Sequence, residues 1–186
     1  MKTFKIYSLI VIFFFSLSSV FNIAHADCNI SDKSALKGKD LAGCDLQNAD
    51  LRDVVLTNAN LEGANLKGAV LSGAYLNGAN LKSANLRDAD LIRARLQGAN
   101  LVGAVLVYAD LKGSNLEGAF LMGAQLLDAD LKDAYLKGAD LRNADLRGTY
   151  LKGANLIYVR LTGARLKYAT WVDGRKCASK SIGECL

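Results

Sequence analysis

Leucine recurs at every fifth position from Leu36 to Leu166, and Trp171 takes the next place. Two residues before most of these leucines stands alanine, from Ala59, Ala64 and Ala69 on to Ala169. Val54, Ser114, Thr149 and Val159 are small or β-branched exceptions. A period of five fits no straight element. On a helix, residues five apart lie about 140° apart, so the leucines would wander round every side. On a flat strand side chains alternate, and every second leucine would face water. In an extended segment residues two apart point the same way, so Ala64 and Leu66 share a face. The step of three from Leu66 to Ala69 would reverse that face unless the chain bends between them.

The bend has its own residue types. Two positions after the leucines stand Gly43, Gly63, Gly68, Gly73 and Gly78, or else Asn48, Asp53, Asn58 and Asp88. These types tolerate turns and positive φ. Proline is absent, as expected where each backbone N–H is wanted for a ladder. Each five residues therefore make one short side and one corner, always turning the same way. The chain winds into a β-solenoid with Ala and Leu inside. The axis is filled by side chains, which places any contact function on the outer surface or at the ends.

The units "ADLRD" (Ala49–Asp53), "ANLEG" (Ala59–Gly63) and "ADLKG" (Ala109–Gly113) carry an A(D/N)LXX pattern that closely resembles the pentapeptide-repeat proteins. The resemblance covers about residues 39–173. It implies an all-β fold, a right-handed quadrilateral parallel β-helix with four pentapeptides per coil. Columns at spacing twenty agree with four sides: Asn60/Asn80/Asn100, Asp90/Asp110/Asp130 and Lys112/Lys132/Lys152. About six and a half coils follow, a rod roughly 30 Å long.

The N-terminus follows a different rule. Lys2 and Lys5 precede the apolar run Ile6–Phe21, and Ala24-His25-Ala26 places small residues before Asp27. This is the secretory signal pattern, with cleavage expected after Ala26. An uncleaved anchor is the competing reading, but the run is short of ~20 apolar residues. A lipoprotein is not expected, because Asp27 precedes Cys28 where a small residue belongs. The expected organisation is a signal peptide 1–26, an N-terminal cap 27–38, the β-helix 39–173 and a C-terminal disulfide cap 174–186. Localisation is then extracytoplasmic, periplasmic or secreted, with no stable membrane insertion after cleavage.

Cleavage removes Lys2, Lys5 and the only histidine, leaving 21 basic and 18 acidic side chains. This mild excess, read as interspersed along the chain, suggests a solvated surface and no nucleic-acid partner. Cys28, Cys44, Cys177 and Cys185 all remain, and an even number in an exported chain reads as disulfides. A zinc site is the alternative, but it would need the two ends to meet. With Cys44 in an inward slot and the ends ~30 Å apart, the expected pairs are Cys28–Cys44 and Cys177–Cys185. Trp171 is expected as a larger plug in a leucine slot, closing the rod. The tail "TWVDGRKCASKSIGEC" also resembles the C-terminal segment of exported bacterial pentapeptide-repeat proteins, which implies a cap and an address only.

Catalytic chemistry is not found. Without histidine in the mature chain, triads and His-based general bases are excluded, and no serine lies in G-x-S-x-G. No enzyme activity and no cofactor are expected. The Asp90/Asp110/Asp130 column could be a calcium ladder, but Lys112 and Lys132 favour charge compensation. The Asn60/Asn80/Asn100 column reads as stacked amides. Tyr75 and Tyr135 point outward, while Tyr158 and Tyr168 fall at corners near Arg160, Arg165 and Lys167. One feature exceeds background: Val102, Val105, Val107, Phe120, Met122 and Leu127 form an apolar patch at outward positions that elsewhere read as polar. The expected function is a non-enzymatic exported scaffold or protein-interaction module, binding a protein partner or itself. The alternative that the resemblance raises is DNA-mimicking inhibition of type II topoisomerases. The signal sequence and the lack of a negative field count against it.

Overall fold

The computed structural model describes residues 28–186. The expected signal peptide lies outside the described residues. From Asp40↔Asn60 to Tyr150↔Thr170, single-residue parallel bridges join positions twenty apart without a break in register. Four leucine columns therefore run the length of the solenoid, beginning at Leu36, Leu41, Leu46 and Leu51. From Leu36 to Leu151 every leucine of the period is at most 4% exposed, and the inward alanines from Ala59 to Ala144 are at most 1% exposed. Burying each leucine is worth about 1.5–3 kcal/mol, which offsets a backbone ordering cost of about 1–2 kcal/mol per residue.

The backbone explains the five-residue unit. In Ala59–Gly63 the Ala59 N–H closes the preceding turn on Leu56 O (3.0 Å). Asn60 N donates to Lys39 O one coil below, while Leu61 N and Gly63 N donate to Asn80 O and Lys82 O one coil above. The fifth donor, Glu62 N, is taken by the Asn60 side chain, Oδ1 at 3.3 Å. Where an Asx precedes the leucine, it thus completes the hydrogen bonding of its own pentapeptide.

Every corner residue has positive φ. Gly63 sits at 65° and Asn58 at 58°, but Ser83, Arg93, Tyr108, Tyr158 and Tyr168 are held between 56° and 62° as well. These five residues do not favour that region; the ladder on both sides imposes it.

Each end is closed differently. At the start, Asp32 caps a 3-10 turn at Lys33–Ala35 by accepting from Ser34 N, and Ile30 packs on the core. Cys28 is bonded to Cys44, Cα–Cα 5.5 Å. Beyond Thr170 the chain reverses: Trp171 N donates to Arg175 O (2.8 Å). The tail then runs antiparallel at Thr170↔Lys176 and Arg165↔Ile182, held by Cys177–Cys185, Cα–Cα 4.9 Å. Both cysteine pairs are disulfides, not a zinc site. Trp171 packs against the last core layer but stays half-buried.

Candidate interaction surface

The outer surface is organised by what stands before each leucine. On the Leu41 face, Asn60 Nδ2 donates to Asp40 Oδ1 (2.9 Å), Asn80 to Asn60 (3.1 Å) and Asn100 to Asn80 (3.2 Å). On the neighbouring Leu46 face, Asn65 donates to Asp45 and Asn85 to Asn65. The expected amide stack is therefore one of two, and each starts on an aspartate. Two members of the aspartate column on the Leu51 face are charge-compensated by Lys112, whose Nζ lies 2.7 Å from Asp110 and 3.6 Å from Asp130. Among the described residues, Asp90 accepts only from Ile92 N and Lys132 makes no ion pair with the column. The Lys112 ammonium is held above its usual pKa by the hydrogen bond to Asp110 and the charges of both carboxylates.

Farther along, arginine replaces asparagine as the partner. Arg142 clamps Asp140 through Nε and Nη2 (2.8 and 2.6 Å), and Arg147 clamps Asp145 likewise (2.7 and 2.6 Å). Those hydrogen bonds hold both carboxyls below the usual range, against the opposing effect of burial.

Between these two regimes lies the apolar patch. The Leu41-face ladder stops because Phe120 follows Asn100, and the Leu46-face ladder stops because Val105 follows Asn85. Phe120 is 52% exposed and Met122 40%; Val102, Val105 and Leu127 are half-buried. Val107 departs from expectation: it is 4% exposed and offers almost no surface. It stands in a column between Arg87 and Leu127, and a short side chain between longer ones is shaded by them. The reading of all other outward positions as polar also fails, since Val55 and Ile157 are exposed.

Tyr108, which the outward pattern does not single out, borders the patch and is 54% exposed. Arg87 lies over its ring at 5.7 Å. The available signal was a tyrosine in a corner slot otherwise held mostly by Gly, Asn or Asp. Tyr75 is stacked by Arg95 (4.3 Å), Tyr135 is exposed, and Tyr158 and Tyr168 stand out at their corners. Nor are the charges evenly spread: beyond Leu141 nine Lys and Arg face three Asp and Glu. Among the described residues no cluster of three or more His, Cys, Asp or Glu is placed to hold a metal.

An unbroken twenty-residue register, filled by leucine and turned on Gly, Asn and Asp, defines a pentapeptide solenoid. The chain belongs to the pentapeptide-repeat family, whose repeats match in eight copies over residues 36–73, 69–106, 104–143 and 129–167. Similar solved structures include HetL, a pentapeptide repeat protein involved in heterocyst differentiation regulation from the cyanobacterium Nostoc sp. strain PCC 7120. It shares 30% identity over 74% of this chain and 78% of that one, with TM-score 0.45. A pentapeptide repeat protein from the Arabidopsis thaliana thylakoid lumen shares 32% identity over 62% and 73%, with TM-score 0.37. QnrB1, a plasmid-mediated fluoroquinolone resistance protein, shares 20% over 80% and 84%, with TM-score 0.45. Among curated proteins none matches the chain.

Proposed function

We propose that this protein is a non-enzymatic exported scaffold, a right-handed four-sided rod of about six and a half coils that binds a protein partner or a second copy through its outer surface. The observation that carries this reading is the patch at which both amide ladders stop together. Phe120 and Val105 replace the residues that would have continued the ladders, and their loss leaves Met122 N and Val107 N without a side-chain acceptor. Folding gains nothing from that exchange, whereas a hydrophobic contact does. The two disulfides fit an oxidising compartment, as does a signal peptide over residues 1–26.

Against DNA mimicry stand the compensated carboxylates. Asp50, Asp110, Asp140 and Asp145 each hold a cation within 2.7 Å, and Lys and Arg outnumber Asp and Glu in the chain, 23 to 18. The test is the double variant Met122→Lys, Leu127→Glu, which places charge on the apolar patch. Sedimentation and pull-down from the extracytoplasmic fraction should show association lost, with thermal stability within about 0.5 kcal/mol of wild type. A folded variant that keeps every association would refute the patch; an unfolded one would make it structural.

A further inference from the structure

The C-terminal tail closes only half of the last coil. It pairs with the Leu166 side and with Thr170 and brings Gly183 against the backbone of Leu161 to Gly163, but leaves the stretch from Leu156 to Arg160 without a strand above it. One coil below, Leu136 N, Gly138 N, Leu141 N and Asn143 N all donate upward. Their counterparts Leu156 N, Tyr158 N, Leu161 N and Gly163 N make no bond within the protein, and Ala154 O and Val159 O accept none. The core is open at the same place. Leu136, Ala139 and Leu141 are at most 1% exposed, while Leu156, Val159 and Leu161 above them are only half-buried. A cleft of about 690 Å³ runs beside this edge, between Arg160 and Leu161 on one side and Ile182 and Glu184 on the other.

The charge there is unbalanced as well. Asp140 is already clamped by Arg142 at 2.6 Å, and Arg160 reaches it only at 3.7 Å. In a lower coil Lys112 is shared between Asp110 of its own coil and Asp130 of the coil above. Arg160 has the lower carboxylate and lacks the upper one.

We propose that this open half-coil is a docking edge for an extended acidic segment of a partner protein, added as the next parallel strand. Strand addition to a free edge takes its affinity from main-chain hydrogen bonds and its specificity from alternate side chains. The columns state what those side chains are: apolar residues over Leu156 and Leu161, a small one over Val159 and a carboxylate over Arg160. A second copy fits poorly, because two such ends carry the same positive excess and the tail bars a whole coil from stacking.

The experiment is fluorescence anisotropy with the labelled peptide ANLEGADLEG on the purified protein. Saturable binding is expected. It should weaken about tenfold or more with the charge-reversed peptide ANLKGARLKG, and likewise with Arg160→Glu. The acidic peptide N-methylated at its Asn and Asp loses the donors aimed at Ala154 O and Val159 O, and should bind at least as weakly. This control on the unaltered protein decides the matter even where Arg160→Glu disturbs the fold. The Met122→Lys, Leu127→Glu variant should bind the peptide as wild type does, which separates this edge from the mid-rod patch. Absence of saturable binding, or equal affinity for the methylated or reversed peptide, overturns the proposal. A wild-type dimer that the peptide dissociates overturns it in favour of a second copy at this edge.

Discussion

Phe120 lies one coil above Asn100, bridged to it through the backbone, and ends the amide ladder that rises from Asp40. An amide at that position would donate to Asn100 Oδ1 and accept from Met122 N, as Asn80 and Asn60 do below. Phe120→Asn is therefore expected to raise stability by about 0.5–1 kcal/mol, the usual net worth of a hydrogen bond. It should also weaken association through the patch. Thermal melts and sedimentation check both; a loss near 1 kcal/mol would show that the phenyl ring supports the fold.

The inward slots distinguish a tolerated polar group from a ruinous one. Thr149 occupies an alanine slot and donates its hydroxyl to Leu146 O, while the buried Ser114 Oγ has no partner. Ser114→Ala should stabilise the rod by about 1 kcal/mol, because it removes an unsatisfied buried hydroxyl. Leu96 is 1% exposed, and Leu96→Lys would place an unpaired charge on the axis at a cost of several kcal/mol. Against a total of about 5–15 kcal/mol, folding should fail. Circular dichroism reads both, with β structure in the first variant and its loss in the second.

Non-reducing peptide mapping should recover Cys28 joined to Cys44 and Cys177 joined to Cys185. Cys44 fills a slot that alanine holds in most other coils, so Cys28→Ala, Cys44→Ala removes the cross-link with little change in packing. A loss of about 2–4 kcal/mol is expected from the freed unfolded chain. A peptide joining Cys44 to Cys177 would contradict the separation of the two ends.

Acid should loosen the later coils. The Asp140 and Asp145 carboxyls are lowered from 3.8 by the hydrogen bonds of Arg142 and Arg147. Their contribution is full above 3.8 and is lost as pH falls through the lower folded values. The melting temperature should stay level from neutrality to about pH 5 and fall below about pH 4. In Asp145→Asn, which keeps an acceptor for Arg147 N, that fall should be shallower. An equally steep fall would place the acid sensitivity elsewhere.

The sequence by itself determined the unit. Leucine, the small residue two before it, the Asx that bonds its own turn and the Gly or Asn at the corner all act within a few residues. Period five, the solenoid and the amide columns were therefore legible without coordinates. The cysteine pairs were legible too, since each pair belongs to one end. Tertiary structure decided what depends on the coil above or below. Val107 is outward by its place in the pentapeptide but shut from solvent in its column between Arg87 and Leu127. Tyr108 and Arg93 accept positive φ because the ladders above and below fix the corner, whatever the residue prefers. The tail turns back over one half of the last coil and leaves Leu156 and Leu161 half-covered, since antiparallel pairing joins residues whose spacing the repeat does not set. A five-residue code specifies each coil through local bonds; the surface and the ends arise from stacking, which brings together residues twenty apart.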